Sequence, residues 1–523
     1  MSTLSAAASP GRDEASPAAA RLPGWWPLAV ITLLAALLRF STLGLQSFWY
    51  DEAFTPVHVL HAGLGATLRG VAHTENTPPL WYLLAWADAR VFGTGAIALR
   101  WPSALAGTVT VPVAWAIARQ LSPRRAVAIA TAALVAVNPL LVWYSQEARA
   151  YGLFVLMAAL AMLCFLRALH EPTRGRMAAF ALSGSLALLT HYFALFLLIP
   201  MIAWLLGERR CRRAALPAIA ALVVVGLALA PLIVSQGGHG TQWIGQWALS
   251  SRLQAVPQYY LDGYYGASLG HGIELLLALP IVLGVGYGLW RVLEASEERP
   301  VVLAASLAAG GILIPLLLAA FGADYLAPRN LVAAMIPVTV LIALIVLARR
   351  AGRAGMAFAA LIAAGFLAIT IDIDASPRLQ RGNWHALALT LAGHHTLAGA
   401  PVRAIVTVEL GSAPLEYYLP GLHLLEPGRS ATVSEIDEVG YAPLRSSAGS
   451  PPAPGFRLFA RLDVDGLIGY RFLSSVPRTL SEVSLRRQAI TPAHPEVIVS
   501  AGAALARQLL PQRTLRSSRG KKV

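Results

Sequence analysis

The chain has 523 residues, of which 56% are apolar and only 13% charged, and its mean hydropathy is +0.60. Soluble domains carry roughly 25% charged residues, so this composition excludes a soluble globular protein and gives a polytopic membrane protein. The net charge of +14 is almost all arginine, which on a membrane protein belongs to cytoplasmic loops and does not imply nucleic acid; with Cys164 and Cys211 the only cysteines, a disulfide framework is excluded too.

Residues 1–25 are polar and rich in Ala, Ser and Pro, and read as a disordered cytoplasmic tail rather than a cleaved signal peptide. A spanning helix needs about 20 mostly apolar residues. The first such run is Trp26–Leu43, broken by Arg39 near its far end. Just beyond it stand Asp51 and Glu52, flanked by aromatics at a membrane face. Fixed charge there is costly and commonly kept for a purpose, although an interfacial aromatic belt with two solvated acids is the plainer reading. Arg39 calls for a buried partner, and Asp51 or Glu52 is the nearest in sequence.

The piece Pro79–Phe92 is short, amphipathic and interrupted by Asp88 and Arg90. Further apolar runs are Trp101–Ala118, Ala126–Tyr144, Tyr151–Leu166, Met177–Thr190, Phe193–Leu206, Ala214–Val234, Leu275–Trp290, Val301–Phe321, Leu331–Leu347 and Met356–Ile371. Charge placement decides the doubtful piece. If Pro79–Phe92 lies on the surface, the arginine clusters at 119–125, 167–176, 209–213 and 349–353 all fall inside, as the positive-inside rule requires. A break at Thr190-His191-Tyr192 makes Met177–Leu206 a hairpin and keeps its flanking arginines on that same side.

The expected fold is therefore a polytopic α-helical membrane protein with about 11 transmembrane helices and external juxtamembrane helices. Its transmembrane domain spans 26–371, with a first external loop at 45–100. A small C-terminal α/β extracytoplasmic domain follows at 372–480, with strands predicted at Val402–Val408, Phe456–Ala460 and Ile468–Phe472 and a helix at Trp384–His394. Residues 481–523 read as a basic tail. The expected location is the cytoplasmic membrane, with the N-terminus inside and the C-terminal domain outside.

Every polar cluster of note then falls outside: Asp51-Glu52, His73–Pro79 with Glu75, the interfacial Leu80-Trp81-Tyr82, Gln146–Tyr151 with Glu147 and Arg149, His191-Tyr192, and Tyr325–Asn330 with Arg329. A carboxylate near an acceptor hydroxyl can take its proton, and arginines near a lipid head group can bind phosphate and offset charge on a phosphate leaving group. Plainer readings stand beside these. His191 fits a helix cap, Arg329 a snorkelling side chain, and Glu147 with Arg149 a local ion pair. Glu75 fits a solvated acid as well as a metal or phosphate-network residue. Tyr259, Tyr260, Tyr264 and Tyr265 around Asp262 suit either sugar stacking or an interfacial anchor.

The Asp-Glu pair after the first span, the Pro-Pro-Leu surface helix, Arg100-Trp101-Pro102-Ser103, Tyr144–Tyr151, Thr190-His191-Tyr192, Pro328-Arg329-Asn330 and Gly382-Asn383-Trp384-His385 occur in this order. Together they resemble the bacterial branch of the GT-C membrane glycosyltransferases, the group of protein O-mannosyltransferases and the lipid A aminoarabinose transferase (glycosyltransferase family 39-like). The resemblance covers residues 26 to 385. It implies inverting transfer of a sugar from a polyprenyl-phosphate donor to a glycan, lipid or protein acceptor at the outer face. Asp51 takes the place of the general base and Glu52 that of the second acid. Arg329 and Arg149, with Arg39, are candidates for the donor phosphate. Glu75, Glu147, His191, Tyr192, Tyr82 and Trp384 are candidates for the substrate.

Two departures stand out. Asn76-Thr77 replaces a Glu-Lys before the Pro-Pro, which removes a lysine contact to phosphate and leaves a divalent metal at Glu75 open. Asn383-Trp384-His385 replaces a charged Asp-Trp-Arg element. Two other function classes remain: a transporter or flippase of a lipid-linked saccharide, and a glycan polymerase or ligase. The first calls for charged or broken helices at mid-membrane, the second for a large arginine-rich central loop, and Ser235–His271 holds only Arg252.

Overall fold

The computed structural model describes residues 25–237, 242–264, 271–295, 297–392, 402–491 and 494–500. Residues 1–24, Tyr265 and 501–523, on which some sequence expectations fall, lie outside the described residues.

Each of the apolar runs coincides with a helix, from Trp26–Phe40 to Gly352–Ala375. Among the described residues six helices can cross a membrane by length and composition, or seven if the bent pair Arg125–Val137 and Pro139–Ser145 is one span. Trp26–Phe40, Ala194–Gly207 and Leu276–Val292 are shorter apolar helices. The chain is thus a polytopic α-helical membrane protein. The expected break is present, since one helix ends at Thr190 and the next begins at Ala194.

One bend has consequences for the site. At Asn138-Pro139 the axis turns by 57°. Proline lacks the N–H that would continue the helix and clashes with the preceding turn. The helix restarts because Asn138 Oδ1 accepts from the Leu141 N–H, while Asn138 Nδ2 donates to the Tyr260 carbonyl. The restarted helix ends at Ser145 and delivers the turn 146–149 to the cluster described below.

The C-terminal region is a six-stranded mixed sheet of order β2-β6-β1-β3-β5-β4. Its strands are β1 (Val402–Thr407), β2 (Leu422–Leu424), β3 (Ser430–Gly440), β4 (Phe456–Val464), β5 (Leu467–Ser481) and β6 (Glu496–Ser500). β1 and β3 run parallel and the other pairs antiparallel. Asp465 and Gly466, both at positive φ, form the tight turn that joins β4 to β5.

The sheet extends past residue 480, into the stretch that reads from the sequence as a basic tail, because β6 pairs with both β1 and β2. And β3 escaped the sequence reading because it carries Glu435, Asp437 and Glu438, all buried. Two of these acids are matched across the sheet: Arg403 of β1 and Arg471 of β5 both pair with Glu435 and Asp437.

The sheet domain and the segment that follows the first apolar helix share a core. Trp49 packs in one apolar cluster with Trp384, Leu387, Ile405, Leu415 and Val439. Ser47 Oγ donates to the Gly382 carbonyl and accepts from the Trp384 N–H, and Tyr418 Oη accepts from the Phe48 N–H at 2.8 Å. The loop that carries Asp51 is therefore braced by the domain that follows the last helix.

Candidate active site

Asp51 and Glu52 open a short helix, Tyr50–Phe54, whose N-terminus favours negative charge. A π-helical turn, Thr55–Val59, follows directly. Successive residues on a helix point about 100° apart, so the two acids cannot share an environment. Glu52 turns inward and is fully buried. It takes Arg100 Nε at 2.7 Å on Oε1, Arg100 Nη2 at 2.6 Å on Oε2, and the Ala148 N–H at 2.8 Å on Oε1. Arg100 also donates to the carbonyls of Leu43, Gln46 and Ser47, which occupies all of its N–H groups. Burial alone would raise the Glu52 carboxyl, but the Arg100 and Arg381 charges bring it below its ordinary value. The pair sews the loop to the helix Ala96–Leu121, so the Glu52 carboxylate, implied as the second acid of the site, is engaged by Arg100 and points away from Asp51's open side.

Asp51 turns the other way. Its Oδ2 accepts from Arg329 Nη1 at 3.0 Å, and both side chains keep some exposure, 16% and 21%. On the other flank Arg149 Nη1 lies 3.4 Å from the Asp51 carbonyl oxygen. Arg149 is itself held by Glu75, at 3.3 Å to Oε1 and 3.0 Å to Oε2, and Glu75 Oε2 also accepts from the Tyr82 hydroxyl. Glu75 and Tyr82 thus aim a guanidinium rather than offer free groups. Both Glu75 oxygens are engaged, by Arg149 and by the Tyr82 hydroxyl. Among the described residues no group of three or more His, Cys, Asp or Glu is placed to hold a metal ion.

Glu147 and Arg149 do not pair with each other. Glu147 Oε1 accepts from Trp49 Nε1 at 3.1 Å, and its Oε2 lies 3.8 Å from Arg381 Nη2. Burial pushes the Glu147 carboxyl up to about 7; Arg381 works against the rise, while Glu52 and Asp51 add to it. His191 is buried with its ring stacked on Phe154 at 4.6 Å. Burial, then the charges of Arg329 and Arg149, push it down to about 3, so it is neutral at ordinary pH.

Three expected site residues stand elsewhere. Arg39 is 1% exposed, and its partners are Ser145 Oγ and the carbonyls of Ala35, Val135 and Ala136, not Asp51 or Glu52. A guanidinium used up by carbonyls inside a helix bundle is not presented to a phosphate. Trp384 is fully buried in the sheet-domain core. Tyr192 donates to Gln236 Oε1 at 2.7 Å, and Gln236 Nε2 donates to the Val71 and Thr77 carbonyls, an arrangement that ties the helix Arg209–Gln236 to the first loop.

Sequence reasoning assigned no role to Arg100 or Arg381. Arg100 stood inside a quoted motif, and Arg381 directly precedes Gly382-Asn383-Trp384. Of the tyrosines near Asp262, Tyr264 stacks parallel to Trp143 at 5.6 Å, and Tyr260 is buried with its hydroxyl 3.0 Å from Thr339 Oγ1. Beside the loop lies a cavity of about 980 Å³, lined among others by Gln46, Ser47, Trp101, His385, Tyr417 and Tyr418. Among the described residues no Asp, Glu, Lys or Arg lines it, in contrast to the Asp51 cluster.

Comparison with known proteins agrees with this architecture. Residues 76–234 match the family described as dolichyl-phosphate-mannose-protein mannosyltransferase. The structure of ArnT from Cupriavidus metallidurans bound to undecaprenyl phosphate aligns with a TM-score of 0.54 at 14% identity, covering 86% of this chain and 98% of that one. The apo structure of the same protein aligns with a TM-score of 0.52 at 13% identity, covering 89% and 99%. No curated sequence matches. At these identities the likeness is one of fold, and it agrees with a polytopic α-helical membrane protein that carries a C-terminal sheet domain.

Proposed function

We propose that the chain is an inverting glycosyltransferase that moves a sugar from a polyprenyl-phosphate donor to an acceptor hydroxyl or amine at the outer face of the cytoplasmic membrane, in a topology of eleven spans with the N-terminus inside. The observation that carries this reading is the Asp51 carboxylate, partly exposed and bracketed by two guanidiniums, Arg329 at its side chain and Arg149 at its carbonyl. A base next to two anion-binding groups is what displacement at a sugar phosphate requires.

In the reaction the acceptor oxygen or nitrogen attacks the anomeric carbon and loses its proton to Asp51. The bond from that carbon to the phosphate oxygen breaks, and polyprenyl phosphate leaves with the electron pair. Arg329 and Arg149 bind the phosphate and offset the charge that develops on it. In the resting protein Asp51 occupies Arg329. A donor phosphate competes for that guanidinium, and its arrival frees Asp51 to face the acceptor. Glu75 and Tyr82 hold Arg149 in place, while neutral His191 adds no third positive charge. Membrane lipids and the acceptor are the expected partners.

The test is to incubate the purified protein in lipid nanodiscs with a panel of polyprenyl-phosphate-linked hexoses and pentoses and to measure saturable turnover. Consumption of one of them supports the reading. Transmembrane movement of the lipid-linked sugar in vesicles without bond cleavage would instead support a flippase.

A further inference from the structure

We propose that Arg381 is a positioning residue that holds Asp51 in register with Arg329 and Arg149 by gripping the segment 46–52 on both sides of Asp51. The proposal rests on the reading of Asp51 as the base and adds a residue that does not touch the reacting atoms.

Arg381 lies between the last apolar helix, Gly352–Ala375, and the sheet domain. Its backbone N–H donates to Gln46 Oε1 at 3.0 Å. Its guanidinium carbon sits 4.2 Å from the centre of the Trp143 ring and 5.6 Å from that of Trp49. Nε is 4.0 Å from Glu52 Oε2, and Nη2 is 3.8 Å from Glu147 Oε2. One side chain thus engages residues 49 and 52, the two that flank the Tyr50-Asp51 step, and also Glu147, which accepts from Trp49.

Two nearby arginines serve as contrasts. Arg100 and Arg39 are satisfied by short hydrogen bonds to fixed partners. Arg381 is 4% exposed, yet among the described residues its Nε and Nη2 make no hydrogen bond, and neither does Glu147 Oε2. Buried donors are nearly always satisfied, so a site that leaves two of them open is not organised for stability alone. What holds Arg381 is charge and ring stacking, both of which tolerate small displacements. A movement of about 1 Å turns the Glu147 contact into a hydrogen bond. The grip is loose while Asp51 rests on Arg329, and it tightens when a donor phosphate takes Arg329 and the segment must hold Asp51 unaided.

The experiment uses full-length protein in nanodiscs and the polyprenyl-phosphate sugar that wild type turns over. Arg381→Gln, Arg381→Lys and Asp51→Asn are compared for kcat, KM for the donor, and thermal protection by undecaprenyl phosphate. Misplacing a reacting group by about 1 Å costs up to about 100-fold. Arg381→Gln is therefore expected to lower kcat about 10- to 100-fold, with KM for the donor and protection by undecaprenyl phosphate within about twofold of wild type. Arg381→Lys keeps the charge but loses the planar guanidinium beside the two tryptophan rings, and recovers part of the loss. If Arg381→Gln does not fold, the pair Glu147→Gln/Arg381→Gln removes both charges together, and the same split between kcat and KM is expected. Wild-type kcat in the folded fraction overturns the proposal, as does a loss confined to KM. An active Asp51→Asn overturns the base assignment itself, whereas an inactive Asp51→Asn beside a wild-type-like Arg381→Gln overturns only the positioning role.

Discussion

Asp51 and Arg329 are 278 positions apart in the chain, yet Asp51 Oδ2 accepts a hydrogen bond from Arg329 Nη1 at 3.0 Å. The pair joins the short helix Tyr50–Phe54 to the turn Pro328–Ala334 that leads into the helix Met335–Val346, and it keeps a share of exposure that the neighbouring Glu52–Arg100 pair lacks. An ion pair that is reachable from outside can exchange one anion for another. A sealed pair can only hold the fold.

Arg329→Gln tests the exchange. It removes the charge that offsets the leaving phosphate, and loss of one such group typically costs about 100- to 1,000-fold in kcat. Arg329→Lys keeps the charge without the planar fork and falls between the two. Steady-state turnover of the donor reads both, and a wild-type rate in Arg329→Gln removes this residue from the mechanism.

Glu52 and Arg100 give the opposite pattern. Removing one member of a buried ion pair strands the other and costs about 3–5 kcal/mol. Glu52→Gln and Arg100→Met each lower thermal stability sharply, and the double change recovers part of it. Turnover per folded molecule in a rescued double variant stays measurable, which would not hold if Glu52 carried a catalytic step.

Burial holds the Glu147 carboxyl at about 7, against an ordinary value of 4.5. The folded protein then binds the Glu147 proton more tightly than the unfolded chain does. This contribution to stability is complete below about 4.5, shrinks as pH rises through the interval, and is gone above about 7. Thermal unfolding followed from pH 5 to pH 8 shows a falling midpoint in wild type and a flatter one in Glu147→Gln. An unchanged slope in the variant rules out this assignment.

Tyr192 is expected to matter for structure rather than turnover. Its hydroxyl is engaged by Gln236, which in turn holds the Val71 and Thr77 carbonyls. Tyr192→Phe costs about 1 kcal/mol or less, because Gln236 keeps its other bonds. Its kcat and KM stay near wild type. A tenfold rise in KM would return Tyr192 to the substrate.

The helical part was legible because a long apolar run is a strong signal for a helix. Asp51, Glu75, Arg149, His191 and Arg329 were each named from local pattern, and the fold gathers them. Their pairing was not legible. Nothing in a local stretch tells that Glu75 meets Arg149 or that Arg329 meets Asp51, and adjacency hid the fact that Glu52 faces inward while Asp51 does not. Arg39 misled for a related reason: the acids near it in sequence were not its partners, since main-chain carbonyls freed at the Asn138 bend lay closer in space. In the sheet domain, strand β3 was hidden by its own acids, whose compensating arginines sit on other strands.

The most direct measurement is turnover of a polyprenyl-phosphate sugar by Asp51→Asn, with binding of undecaprenyl phosphate followed on the same sample. The substitution keeps the size of the side chain and removes its capacity as a base. The account predicts that transfer falls by at least about 100-fold, the lower end of what a positioned general base contributes, while the lipid phosphate still binds. Transfer at the wild-type rate would contradict it.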